Sequence, residues 1–485
     1  MLLSIASAIR TGDTHQMKIH TARVSRMRAV WISVVIAGVI TSTGSVLTFA
    51  QAKPVKSAVC RVEPVSYKGW QAQQISNQWL QLIVVPQNGG RLMQVTFSGH
   101  DYLFVNPKLA GQYFPPSSSD WFNYGGDKIW LLPEGNNDEQ HWAGNSDVLD
   151  DSPFTFHKIS EGQHCEVELT SPADPQTGVQ ISRTISLEAD STRIAFHASM
   201  KNITGHTLEW SMQSVSQYDT SNNRDQTSGM NHNFWTFTPV NQHSSYLNRY
   251  HVRFGPAENS AARVREDNFF TVHYAHMAAE LWLDTTDGWL AVVDGSSKYA
   301  MVECFQYEDH KTYPGKASVI FWTNGPEMRL NSEGNPQVSA DADASPYYLE
   351  AEVNSPMCRL RPGESCELDT EWFPTRSGDE FHGVTDAGIV LRPLKATTEQ
   401  NGKVALSGSF GVFYSGHLVA RLYDEHGHAA AVNPVADVTP NEAVNLAMEV
   451  PAPGKCSRVS LHLMDDTGLD RGALQEVQLN IQDRP

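Results

Sequence analysis

The feature that most constrains this chain is a period-two alternation of apolar and polar residues that recurs to its end. Val179, Ile181, Ile185 and Leu187 alternate with polar neighbours, and so do Ile194, Phe196, Ala198 and Met200. Successive side chains of a strand point to opposite faces, so this pattern fits sheets with one buried face. Leu82 to Val85 and Val319 to Trp322 are short continuous apolar runs, as in central strands. Turn signals separate the runs, among them Asn88-Gly89-Gly90, Asp190-Ser191, Asp294-Gly295 and Asn324-Gly325-Pro326. No helix of more than three turns is expected after residue 52. A polar, glycine-containing stretch from Pro374 to Gly388 marks a boundary, and alternation restarts beyond it at Val444, Leu446, Met448 and Val450. The prediction is an all-β protein with a large β-sandwich over residues 53–375 and a small immunoglobulin-like β-sandwich over residues 376–485.

The first 52 residues differ. Lys18, Arg23, Arg26 and Arg28 precede an apolar run from Ala29 to Ile40, and Ala50-Gln51-Ala52 supplies small residues. That order predicts a signal peptide, 1–52, and a periplasmic or secreted protein with no stable membrane insertion after cleavage. The formal charge is −18, and removing this basic segment leaves the rest more acidic still. Such a surface repels phosphate backbones, so nucleic acid is not an expected partner. Six cysteines occur, and an exported chain permits disulfides. Cys358 and Cys366 flank the turn Arg361-Pro362-Gly363, which predicts a bridge between them; the pairing of Cys60, Cys165, Cys304 and Cys456 stays open. No CxxC spacing, phosphate loop or serine-hydrolase motif is present, so neither cofactor nor metal is expected.

The segment with the most chemistry runs from Trp121 to Glu134. Gly125 and Gly126 permit unusual backbone conformations and leave room beside the main chain. Asp127 and Lys128 place an acceptor beside a donor, and Trp121, Tyr124 and Trp130 add flat apolar faces. Aromatic platforms with charged hydrogen-bonding groups suit a carbohydrate ligand; a tight turn with core tryptophans would show the same residues. Residues 215–270, rich in Asn, Gln, Ser and aromatics, are expected to form a loop over a binding face. On the late strand, Glu350 and Glu352 share a face, opposite Leu349, Ala351 and Val353.

Several motifs, in order along the chain, resemble those of the galactose-mutarotase-like (aldose-1-epimerase-related) superfamily. Asn88-Gly89-Gly90-Arg91 with Val95-Thr96-Phe97 is similar to its opening hairpin. Tyr124-Gly125-Gly126-Asp127-Lys128-Ile129-Trp130 is similar to a bacterial branch whose domain is of unknown function. Leu208 to Tyr218 resembles the middle strand, and Tyr347 to Trp372 the late strand and hairpin. The resemblance implies an antiparallel supersandwich with a carbohydrate-facing side, on which Arg91, Tyr124, Trp121, Trp130, Gln217 and Glu352 would contact sugar. In the family a late-strand glutamate is the base and a middle-strand histidine the acid. Glu350 matches the base, with Glu352 its rival. Ser216-Gln217-Tyr218 stands where the histidine belongs, which leaves Lys128, Tyr124, His232, His243, His273 or His276 to replace it.

Two readings follow. One is a sugar epimerase acting at the anomeric centre, with Glu350 as base and Asp127 or Lys128 orienting hydroxyls. The other is a non-catalytic glycan-binding module or an accessory domain of glycan degradation.

Overall fold

In the computed structural model the described residues are 58–116, 121–135, 140–142, 148–257, 259–330, 336–338, 345–399 and 401–479, with backbone only at 328–330 and 336–338. The expected signal peptide, 1–52, lies outside the described residues.

Alternating strands form two large antiparallel sheets. The twelve-stranded sheet runs in the order Arg61–Tyr67, Trp70–Ser76, Leu80–Val85, Arg91–Phe97, Asp127–Leu132, Leu208–Asp219, Tyr348–Asn354, Val319–Thr323, Ala279–Leu283 and His251–Phe254, with two short strands off this path. The ten-stranded sheet runs Ala262–Val264, Phe269–His273, Phe234–Pro239, Trp289–Asp294, Tyr299–Phe305, Ser365–Arg376, Ile194–Asn202, Val179–Glu188, His164–Thr170 and Thr155–Ser160. Their facing sides share one core: Leu82, Val95, Leu131, Met212 and Leu349 come from the first sheet, and Ile185, Phe196, Met301 and Trp372 from the second. The strand Val179–Glu188 alternates buried and half-buried along its whole length, as its sequence pattern requires.

The expected loop over residues 215–270 is interrupted by short strands that join both large sheets. Residues up to Asp219 finish the middle strand, Phe234–Pro239 enters the ten-stranded sheet, and His251–Phe254 edges the other. Phe-Trp-Thr-Phe-Thr is rich in aromatic and β-branched residues, which fit a pleated surface. The polar turns between these short strands obscured them in the sequence.

Two four-stranded sheets complete the chain. One is Gly383–Thr385, Gly388–Thr398, Lys403–Val412 and Val444–Pro451; the other is Ala429–Val438, Gly416–Tyr423, Arg458–Asp465 and Asp470–Gln478. They enclose their own core, including Leu406, Phe410, Leu418, Leu422, Leu461 and Leu463. A further apolar cluster joins Phe381, Ile389, Leu391 and Phe413 of this small sandwich to Phe237, Val293, Val302 and Phe373 of the ten-stranded sheet. The supersandwich followed by a smaller β-sandwich is thus the observed architecture.

Covalent and polar links cross the large core. Cys60 bonds to Cys165 and ties the edge of one sheet to the other, closing a separation of 105 residues; Cys358 bonds to Cys366 as expected. Arg183 of the ten-stranded sheet pairs with Asp127 of the twelve-stranded one at 2.5 Å, both buried. Tyr218 Oη donates to Glu303 Oε1 at 2.5 Å between the same sheets. Burial is the main cause that pushes the Glu303 carboxyl up to about 8.

A folded-state pKa raised above the unfolded value contributes stability fully below the unfolded pKa and loses it as pH rises through the folded one. Unfolding free energy is therefore expected to fall between about pH 4.5 and about pH 8 through Glu303. Denaturant titrations across that range should show the fall in the native chain and a flatter profile in Glu303→Gln. Equal slopes in the two proteins would contradict the assignment.

Candidate functional site

The late strand places its carboxyls by parity. Leu349, Ala351 and Val353 point into the shared core, so Glu350 and Glu352 point to the opposite face of the twelve-stranded sheet. Alternation alone would leave them in water, yet they are only 7% and 6% exposed. Cross-strand neighbours cover them. Glu350 lies opposite Gln217 on one side and Trp322 on the other, and Trp322 lies opposite Glu280. Glu352 lies opposite Val215 and Ile320, and Ile320 opposite Trp282. One strand away, Gln213 faces Trp130. These rows and the Trp121 segment enclose a cavity of about 350 Å³, walled by Trp121, Trp130, Trp282, Trp322, Glu350 and Glu352.

Hydrogen bonding inside the cavity is specific. Gln217 Nε2 donates to Glu350 and Gln213 Nε2 donates to Glu352. The two carboxyls, two residues apart on one face, also act on each other electrostatically. Burial raises both carboxyls, and like charge raises Glu352 further, well above the usual carboxylate range. Glu350 rises too, with Lys128 and Gln217 opposing the effect of burial. Neighbouring carboxyls cannot both ionise cheaply, so burial and the charge of Glu350 together favour the protonated form of Glu352. Glu280 accepts a hydrogen bond from Trp282 Nε1 at 2.5 Å, and its carboxyl is raised by burial. Glu134, at the rim, is pushed up to about 7 by desolvation and by Glu280 and Glu350; its side chain keeps solvent contact, and water screens part of that effect.

Lys128 stands behind this wall. Its ammonium lies 3.8 Å from the centroid of the Trp130 ring and 3.9 Å from Asp150. Burial pulls it down to about 8, with Asp150 opposing. Asp150 also accepts from Arg91 at 2.7 Å and from Trp130 Nε1 at 3.0 Å.

Among the residues singled out in the sequence, Glu350, Glu352, Trp121 and Trp130 meet at the cavity, Gln217 holds Glu350, and Lys128 packs under Trp130. Asp127 lies on the opposite face of the same strand, paired with Arg183, because parity separates neighbours in a strand. Arg91 is fully buried against Asp150, and Tyr124 packs edge-on against Trp70 with its hydroxyl bonded to the Phe114 N–H; neither lines the cavity. His273 stacks on Trp235 at 3.9 Å in the ten-stranded sheet, and none of His232, His243, His273 and His276 lines the cavity. Sequence reading missed Glu134, Gln213, Arg253, Glu280, Trp282 and Trp322. One signal was present: in Ala279–Leu283, Glu280 and Trp282 share the face that Leu281 and Leu283 leave.

No group of three or more His, Cys, Asp or Glu side chains among the described residues is arranged to hold a metal ion. No helix among them is long and apolar enough to cross a membrane.

No family model matches the chain, and no curated protein matches it. Among solved structures it is similar to a galactose mutarotase-like protein from Clostridium acetobutylicum, at 11% identity over 65% of this chain and 98% of that one, with a TM-score of 0.41. A galactose mutarotase-like protein from Lactobacillus casei is similar at 12% identity over 62% and 99%, with a TM-score of 0.42. A TPR-domain containing protein from Parabacteroides distasonis is similar at 14% identity over 63% of this chain, with a TM-score of 0.43; the chain spans about half (47%) of that protein's length. Likeness at this level says nothing about what the chain binds.

The glycines before Asp127 serve the backbone rather than a ligand. Gly125 has φ +93°, and a Cβ there would lie 2.1 Å from the Phe104 carbonyl oxygen. Gly125→Ala is expected to cost at least about 1–3 kcal/mol, seen as a lower melting temperature; an unchanged melt would show that the turn tolerates a side chain.

Proposed function

We propose that the chain is an exported carbohydrate-binding protein whose cavity holds a sugar ring at its anomeric centre and exchanges its anomers. The buried Glu350–Glu352 pair, lining one cavity with four tryptophans, carries this reading. Tryptophan rings offer apolar faces to the C–H surface of a pyranose, and the carboxyls and amides offer hydrogen bonds to its hydroxyl edge. Export is supported by the order of the N-terminal segment and by the bonds Cys60–Cys165 and Cys358–Cys366.

Anomer exchange needs a base for the anomeric hydroxyl proton and an acid for the ring oxygen. Those two oxygens share one carbon, so adjacent groups suffice. Glu350 takes the hydroxyl proton while Glu352 delivers its own to the ring oxygen. The C1–O5 bond opens to the aldehyde, rotation presents the other face, and reversal returns both protons. Glu352 thus fills the role of the histidine that Gln217 replaces.

A second reading, a glycan-binding module without catalysis, is favoured by one observation. Gln217 donates its amide to Glu350, and an amide does not titrate.

NMR exchange spectroscopy on a panel of aldoses distinguishes them. Under the first reading the protein accelerates anomer exchange, and Glu350→Gln and Glu352→Gln each lower it by about 100-fold or more. The rate should fall at low pH as Glu350 gains a proton and at high pH as Glu352 loses one. Binding with no acceleration establishes the module, and absence of binding across the panel refutes both.

A further inference from the structure

The walls of the cavity carry a charge pattern that the carbohydrate reading does not use. Among the described residues four carboxyls line it, those of Glu134, Glu280, Glu350 and Glu352, against one lining cation, Arg253, at the exposed edge. Lys128 lies close by but is answered by Asp150, with Arg91 and Asp151 completing that buried group. His251, on the strand that carries Arg253, and the buried Tyr348 of the lining are further ionisable neighbours.

Two further observations concern what such a wall accepts. Gln213 lines the cavity and is 2% exposed, and its Oε1 has no hydrogen-bond partner among the described residues. The wall therefore has acceptors to spare and needs donors. The aromatic box also already shows affinity for a cation: the Lys128 ammonium sits over Trp130 at 3.8 Å, and the Arg253 guanidinium over Trp282 at 5.9 Å. An ammonium group is three donors with no acceptor, and it is the group that carboxyls and indole faces attract together.

We infer that the cavity selects an amino sugar with a free, protonated amine over its neutral counterpart, and rejects a uronic acid. The inference rests on the carbohydrate reading above and narrows its substrate class. A second negative charge would enter beside Glu280, Glu350 and Glu352, with Arg253 the lining cation to meet it and Lys128 held behind Trp130 next to Asp150. An acetylated amine is neutral and loses the attraction. An ammonium beside the carboxyls favours their ionised forms, so its binding is expected to release protons from the carboxyls that burial raises, Glu352 and Glu280.

Isothermal titration of the mature chain at about pH 6, where a free amine is already protonated, tests this. The probes are D-glucosamine, N-acetyl-D-glucosamine, D-glucose and D-glucuronate, with the galacto series beside them. The amine is expected to bind about ten-fold or more tightly than the neutral sugars, as a charged hydrogen bond permits. The uronate should bind most weakly. The heat for the amine alone should change with the ionisation enthalpy of the buffer. Glu280→Gln and Glu134→Gln, each checked for folding by circular dichroism, should narrow the preference for the amine. A neutral sugar or uronate that binds as tightly as the amine, or a preference untouched in both variants, overturns the inference and leaves the carbohydrate reading standing. If no sugar binds, that reading falls and the inference with it.

Discussion

The Arg183–Asp127 pair crosses the core between the two large sheets, and much of the site depends on it. An ion pair buried on both sides holds only in a fixed geometry, since loss of either partner strands a charge in the interior. Here it fixes which side of the strand Asp127–Leu132 faces inward. Once Asp127 points in, Lys128 and Trp130 must point out, and Trp130 comes opposite Gln213 on the neighbouring strand. The middle strand then aligns Gln217 with Glu350, and the late strand aligns Glu350 with Trp322. The apolar residues Leu131, Met212, Phe321 and Ala351 put the same faces of these four strands inward, in phase with that ion pair.

That phase explains what the sequence reveals and what it conceals. Alternation shows that Leu349, Ala351 and Val353 belong to a core and that Glu350 and Glu352 share the other face. It is silent on whether that face meets water or another wall, because burial of Glu350 comes from Trp322 and Gln217 on strands distant in the chain. Asp127 and Lys128 look like a functional doublet only while the period of two is ignored. Glu280 and Trp282 belong to the site because Ala279–Leu283 lies two strands from the late strand, a matter of sheet order that no local pattern encodes. The turn glycines were legible as constrained, but the close neighbour is the Phe104 carbonyl, which only the fold brings there.

Chemically, the described cavity wall offers a carboxyl pair and no imidazole. An imidazole tunes its proton affinity through one partner, whereas two neighbouring carboxyls tune each other. Each group then answers to the charge of whatever enters, and the amides of Gln213 and Gln217 keep the two oxygens in place without competing for the proton.

The small C-terminal sandwich shares Phe381, Ile389, Leu391 and Phe413 with Phe237, Val293, Val302 and Phe373 of the large one. The boundary expected at residue 375 falls inside the strand Ser365–Arg376, and Thr375 Oγ1 bonds to the Val412 carbonyl across it. A gene cut at that point would yield two pieces, each with a sticky aromatic scar. The tail is therefore not a cassette that an engineer could swap freely: any replacement must bring a matching apolar footprint.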